Sequence, residues 1–123
     1  MGPFSETSQT RGASKIGGNM RLNILDHRPC PGCKFKMYTC QINLEGRGGT
    51  IEDVGVIINM QEWGLVPANV EDGIAFAKMI EQECVVVISA GKAFTINKNG
   101  DAEIATWPRN WTEDTIFLAH GRH

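Results

Sequence analysis

Cys30-Pro31-Gly32-Cys33 is the segment of this 123-residue chain whose residue types and spacing best suit chemistry. Two thiols three positions apart can grip one metal ion or exchange a disulfide. A structural zinc site needs four ligands, and no second C-x-x-C follows. His27 extends the motif to His-x-x-Cys-x-x-Cys, and the further candidates are Cys40 or the tail pair His120 and His123. Cys40 is the weaker of these, because alternation places it on the apolar face of a strand, where a small buried thiol packs well. A redox dithiol typically sits where a helix N-terminus lowers its thiol pKa, whereas the residues from Lys34 onward read as a strand. An inert loop with two free thiols and no cofactor is therefore the first expectation, and zinc held by His27, Cys30 and Cys33 is the metal alternative.

The remaining motifs resolve into ordinary structure. Gly46-x-Gly48-Gly49 has neither the Lys-Ser/Thr ending of a phosphate loop nor a helix after it, so it reads as a turn. Asn97, Asn99 and Asp101 echo a calcium loop, but Gly100 precedes the third ligand position and no Glu closes the loop. Ser89 lies in Ile88-Ser89-Ala90-Gly91, and Val87 stands where a nucleophile elbow requires Gly. Cys84 with His120 is a conceivable nucleophile and base, yet Cys84 opens an apolar run and reads as core packing. Glu52-Asp53, Glu71-Asp72 and Glu113-Asp114 are chain neighbours and do not share a strand face, as paired carboxylate catalysis would require. No enzyme signature emerges, and an enzyme of unidentifiable class ranks third among the functional readings.

The aromatics point elsewhere. Trp63, Trp107 and Trp111 lie in or beside loops, with Arg109 between the last two. Trp and Arg are over-represented where a protein meets a ligand or partner, although loop Trp also covers core edges. Trp63, Trp107, Arg109 and Trp111 are the expected ligand-binding residues, centred on the Trp107–Trp111 loop.

The elements that must position these groups follow from periodicity. Tyr38, Cys40, Ile42 and Leu44 alternate as a strand, and Val54, Val56, Ile58 and Met60 repeat the same period after the Gly-rich turn, predicting an antiparallel hairpin. Asn69 is placed as the N-cap of a helix of about four turns, with Val70, Ile74, Ala77 and Ile80 at helical spacing and Gly73 as a weak point. Cys84-Val85-Val86-Val87-Ile88 reads as a central strand buried on both faces. Phe94 and Ile96 alternate before the Asn99-Gly100 turn, Ala102 to Trp107 returns, and Thr115 to Ala119 is a last strand. The expected fold is α+β, a mostly antiparallel sheet of five to six strands with one amphipathic helix, in the order β-β-α-β-β-β-β. A short extra strand is expected at Leu22–Leu25.

Residues 1–19 are rich in Ser, Thr and Gly and hold too few apolar side chains to offset their ordering entropy. They read as a disordered N-terminal arm before one domain over residues 20–123. No apolar run is long enough to span a bilayer, no secretion signal is present, and four Cys in that context suggest reduced thiols in the cytoplasm.

The formal net charge of −2 argues against general nucleic-acid binding. Charge is nonetheless uneven: residues 1–50 carry seven basic groups against three acids, and residues 51–103 nine acids against three lysines. One helix cannot cover five or six strands, so the other sheet face needs either polar residues or a partner, and the Val85–Ile88 run argues for cover by a ligand or a second subunit. The functional expectation is a non-enzymatic binding or regulatory module, homo-oligomeric, taking a small molecule near the Trp loop. A zinc-stabilised adaptor is the alternative.

Overall fold

The computed structural model describes residues 20–45, 50–81, 84–106 and 111–121. The N-terminal arm, the Gly46–Gly49 turn, Trp107, Arg109 and His123 lie outside these residues.

The chain runs β1 (Arg21–Arg28), β2 (Met37–Asn43), α1 (Asp53–Glu62), β3 (Leu65–Pro67), α2 (Val70–Ile80), β4 (Cys84–Ser89), β5 (Lys92–Asn97), β6 (Ala102–Ile104) and β7 (Phe117–Gly121). Among the described residues seven strands form one sheet, six of them in the order β1-β2-β7-β4-β5-β6. β3 also pairs with β7, on the edge opposite β2. The α+β class stands, but the sheet is mixed: β7 enters between β2 and β4 and runs parallel to β4, with Val86 opposite Phe117. The extra strand expected at Leu22–Leu25 is present and longer.

The chief correction concerns residues 53–62, which form α1 and not the second strand of a hairpin. Its buried residues are Gly55, Val56, Asn59 and Met60, spaced as one helical face and not at period two. The alternation of Val54, Val56, Ile58 and Met60 is real in the sequence, yet Val54 is exposed. Both edges of β2 are already taken, by β1 and β7, so the expected pairing of this segment with β2 has no ladder position open to it. Asp53 lies in the first turn, where the helix dipole favours an acid, and Gly64 follows the last turn with φ of +73°.

The two helices lie on opposite faces of the sheet. Alternation along β4 sends Val86 and Ile88 to a core shared with Val56 and Met60 of α1. Val85 and Val87 go to a core shared with Phe76 and Ala77 of α2. Thus β4 is buried on both faces as its β-branched run implies, and α1 supplies the cover that the second face was expected to need from a ligand or subunit.

Asn69 caps α2, its side chain accepting from the Asp72 N–H at 2.8 Å. The helix stops at Ile80, where Glu81 turns left-handed, so it is shorter than the four turns expected. Its buried face is Asp72, Gly73, Phe76 and Ala77.

Candidate functional site

β1 carries a bulge: Ile24 faces Cys40 and Asp26 faces Thr39, with Leu25 unpaired between them. Bulges re-aim side chains and end regular pairing. Beyond this one, Leu25, Asp26 and Arg28 of β1, with Thr39 of β2, face Phe76 and Ile80 of α2 across a cleft of about 290 Å³. Phe76 is almost wholly buried, whereas Leu25 is about half exposed, so the cleft has an apolar floor and an open rim.

Polar groups at the rim are mutually organised. Arg28 donates to Asp26 Oδ2 through Nη2 at 2.6 Å and Nε at 3.2 Å, while Asp26 Oδ1 accepts from the His27 N–H at 2.8 Å. The Arg28 side chain, then the His27 amide, hold the Asp26 carboxyl below its ordinary range. The Thr39 hydroxyl donates to the Asp26 carbonyl at 3.4 Å.

The chain leaves β1 at Arg28 and enters the Cys30–Cys33 turn, closed by the Cys33 N–H donating to the Cys30 carbonyl at 2.9 Å. Pro31 occupies the first central position, where its fixed φ suits such a turn. Cys30 and Cys33 are joined as a disulfide, which corrects the expectation of reduced thiols at this pair. The loop rests on α2, for a Cβ on Gly32 would lie 3.1 Å from Ala75 Cβ. Cys30 is buried with Met37 and Phe76, and Cys33 Sγ lies 3.5 Å from the Asp72 carbonyl oxygen.

The sheet separates the residues named for zinc. His27 faces Tyr38 in the β1–β2 ladder, their rings 5.4 Å apart, and Tyr38 packs on the α1 side. Cys40 is buried on that same side, whereas Cys30 belongs to the α2 side. His120 stacks on Phe35 at 4.3 Å, its Nδ1 close to the Gly121 carbonyl. Among the described residues no three His, Cys, Asp or Glu side chains stand together as a metal site.

The aromatic set is likewise dispersed. Trp111 is half-buried, donates from Nε1 to Asp53 at the N-terminal end of α1, and packs edge-on against Phe117. Trp63 is exposed and caps the other end of α1. Ten helical residues span roughly 15 Å, so these two rings do not share a pocket. Trp107 and Arg109 lie outside the described residues.

Cys84 is exposed, in place of the core position expected for it. The Val86–Phe117 register sets it about five residues, roughly 16 Å, from His120 along the sheet, so that pair does not form.

Sequence reasoning missed Asp26, Arg28, Thr39 and Phe76 as a group. Alternation around Ile24 was the available signal, but the bulge shifts its phase just where the cleft begins. No helix among the described residues is long and apolar enough to cross a membrane. Comparison with protein-family models, with curated proteins and with solved structures finds no match.

Proposed function

We propose that this domain is a non-enzymatic binding module whose ligand site is the cleft between the bulged end of β1 and α2. The observation that carries this reading is the Asp26–Arg28 pair at the rim of a cleft floored by Phe76. The cleft, of about 290 Å³, is close to the ~300 Å³ at which small-ligand sites begin, and its lining is evenly divided between polar and apolar surface. Leu25, Phe76 and Ile80 suit an aromatic or short alkyl body. An acid and a guanidinium side by side suit a head that both donates and accepts, such as a carboxamide. The ligand is thus a small amphipathic molecule.

Homo-oligomerisation has less to recommend it than the sequence implied, because α1 covers the second sheet face. The sheet edges are also blunt. β1 is bulged and β6 is only three residues long with Glu103 at its centre, both features that discourage edge-to-edge pairing.

Two-dimensional NMR with benzamide and with hexanamide tests the site. The expected result is saturable shifts at Leu25, Thr39, Phe76 and Ile80, lost in Arg28→Ala for either probe. Shifts confined to Trp111 and its neighbours would move the site to the Trp107–Trp111 segment and overturn the cleft reading.

A further inference from the structure

The Cys30–Cys33 disulfide plays no part in the proposed ligand contacts, yet its surroundings are not those of an inert staple. A bridge between residues three apart closes a very short loop, so it constrains the unfolded chain far less than a long-range one. Its two residues differ: Cys30 is buried in one core cluster with Phe76, while Cys33 is only half-buried. Beside it stands Asp72, 5% exposed, with Oδ2 buried and without a partner among the described residues. A buried acceptor left unsatisfied costs on the order of 1–3 kcal/mol, more when charged. Positions 72 and 76 share one face of α2, Phe76 and Cys30 belong to one core cluster, and Cys33 Sγ lies 3.5 Å from the Asp72 carbonyl oxygen. The Asp72 carboxyl therefore belongs to the face that meets the Cys loop. A disulfide has no hydrogen to offer it; two thiols have two.

We propose that Cys30–Cys33 is a reversible thiol–disulfide exchange site that takes a dithiol as its partner, with Asp72 as the positioning residue that stabilises the reduced form. A thiolate of the dithiol attacks Cys33 Sγ, forming a mixed disulfide and breaking the Cys30–Cys33 bond. Cys30 leaves as thiolate and takes a proton. The second thiolate of the dithiol then attacks its own sulfur in the mixed disulfide, and Cys33 leaves and is protonated. The dithiol departs as a cyclic disulfide, having given two electrons and two protons. The Cys33 S–H can then donate to the Asp72 carbonyl, already 3.5 Å away, and the unsatisfied carboxyl oxygen of the same residue is the acceptor assigned to the second thiol.

The test equilibrates the full chain with mixtures of reduced and oxidised dithiothreitol, followed by maleimide labelling and mass spectrometry under native conditions. The expected result is a reversible gain of two labelled thiols, mapped to Cys30 and Cys33, while circular dichroism stays constant. Cys30→Ser should trap a mixed disulfide on Cys33 with oxidised glutathione, at least tenfold faster than Cys33→Ser traps one on Cys30. Asp72→Ala should shift the equilibrium roughly three- to tenfold toward the disulfide, with Asp72→Asn, which keeps an acceptor oxygen, shifting it less. Reduction that occurs only with unfolding, or a pair that stays reduced and carries zinc, would overturn the proposal. An equilibrium unmoved by Asp72→Ala in a folded variant would remove Asp72 from it.

Discussion

The indole Nε1–H of Trp111 donates to Asp53 Oδ1 at 2.7 Å, tying the segment before β7 to the first turn of α1. The same ring meets Phe117 edge-on, with centroids 5.8 Å apart. This Trp thus holds a helix on the sheet. Trp111→Phe keeps an aromatic ring and removes the donor, and a hydrogen bond to a charged group is worth about 1.5–3 kcal/mol. Urea unfolding should show a loss in that range at unchanged far-ultraviolet circular dichroism. An unchanged midpoint would mean that the bond contributes nothing.

Gly73 should resist replacement although it sits inside a helix. In an exposed helix, Gly to Ala gains about 1 kcal/mol. Here a Cβ would lie 2.7 Å from Val87 Cγ1 and 2.8 Å from Ile96 Cδ1, both on fully buried side chains. Overpacking of that kind costs typically ~1–3 kcal/mol. Gly73→Ala is expected to lower the thermal midpoint, and a rise would show that α2 can lift off the sheet without cost.

Ala90 and Gly91 form the two-residue turn between β4 and β5, with φ of +54° and +78°. That pattern is the tight hairpin turn in which both residues are left-handed. A residue with a Cβ pays about 1–2 kcal/mol for such a conformation. Ala90→Gly should therefore stabilise the domain by roughly 1 kcal/mol, less the extra flexibility Gly gives the unfolded chain, read by the same urea titration. Ala90→Val should do the opposite.

Cys40 is fully buried, and burial pushes its thiol from 9.0 up to about 12. The native state then keeps a proton that the unfolded state loses above pH 9. Stability from this group is fully present below that pH and is lost as pH rises toward 12, with a slope approaching ~1.4 kcal/mol per unit. The difference in unfolding free energy between the parent and Cys40→Ala should therefore shrink between pH 9 and 11. A constant difference would refute the linkage. In the native state, Cys84 should react with a thiol reagent and Cys40 should not.

Legibility in the sequence was highest where one local rule acts alone. Asn69 caps α2 because its short side chain reaches the Asp72 amide, a contact three residues long. The Val85–Ile88 run reads as a two-face strand because four successive β-branched residues leave no polar side. Residues 53–62 were misread because Val54, Val56, Ile58 and Met60 satisfy period two as well as a partial helical stripe. Local preference did not separate the two. The cleft was hidden by a single unpaired residue, Leu25, which displaces the phase of β1 by one.

By itself the sequence determined the α+β class, the cap and start of α2, the buried central strand, and the Cys30–Cys33 spacing that allows a disulfide or a metal. Only the tertiary structure decided what competed for the same hydrogen-bonding edges. β7, last in the chain, takes the centre of the sheet between β2 and β4, and β1 takes the outer edge of β2. With both edges of β2 filled, residues 53–62 have no place beside the strand they follow; they satisfy their own backbone as a helix, and that helix covers the second face. The same arrangement sends His27 and Cys40 to one side of the sheet and Cys30 to the other, and brings Arg28 and Phe76 to the rim and floor of one cleft. Ladder partners distant in the chain set these positions, and local residue pattern does not encode them.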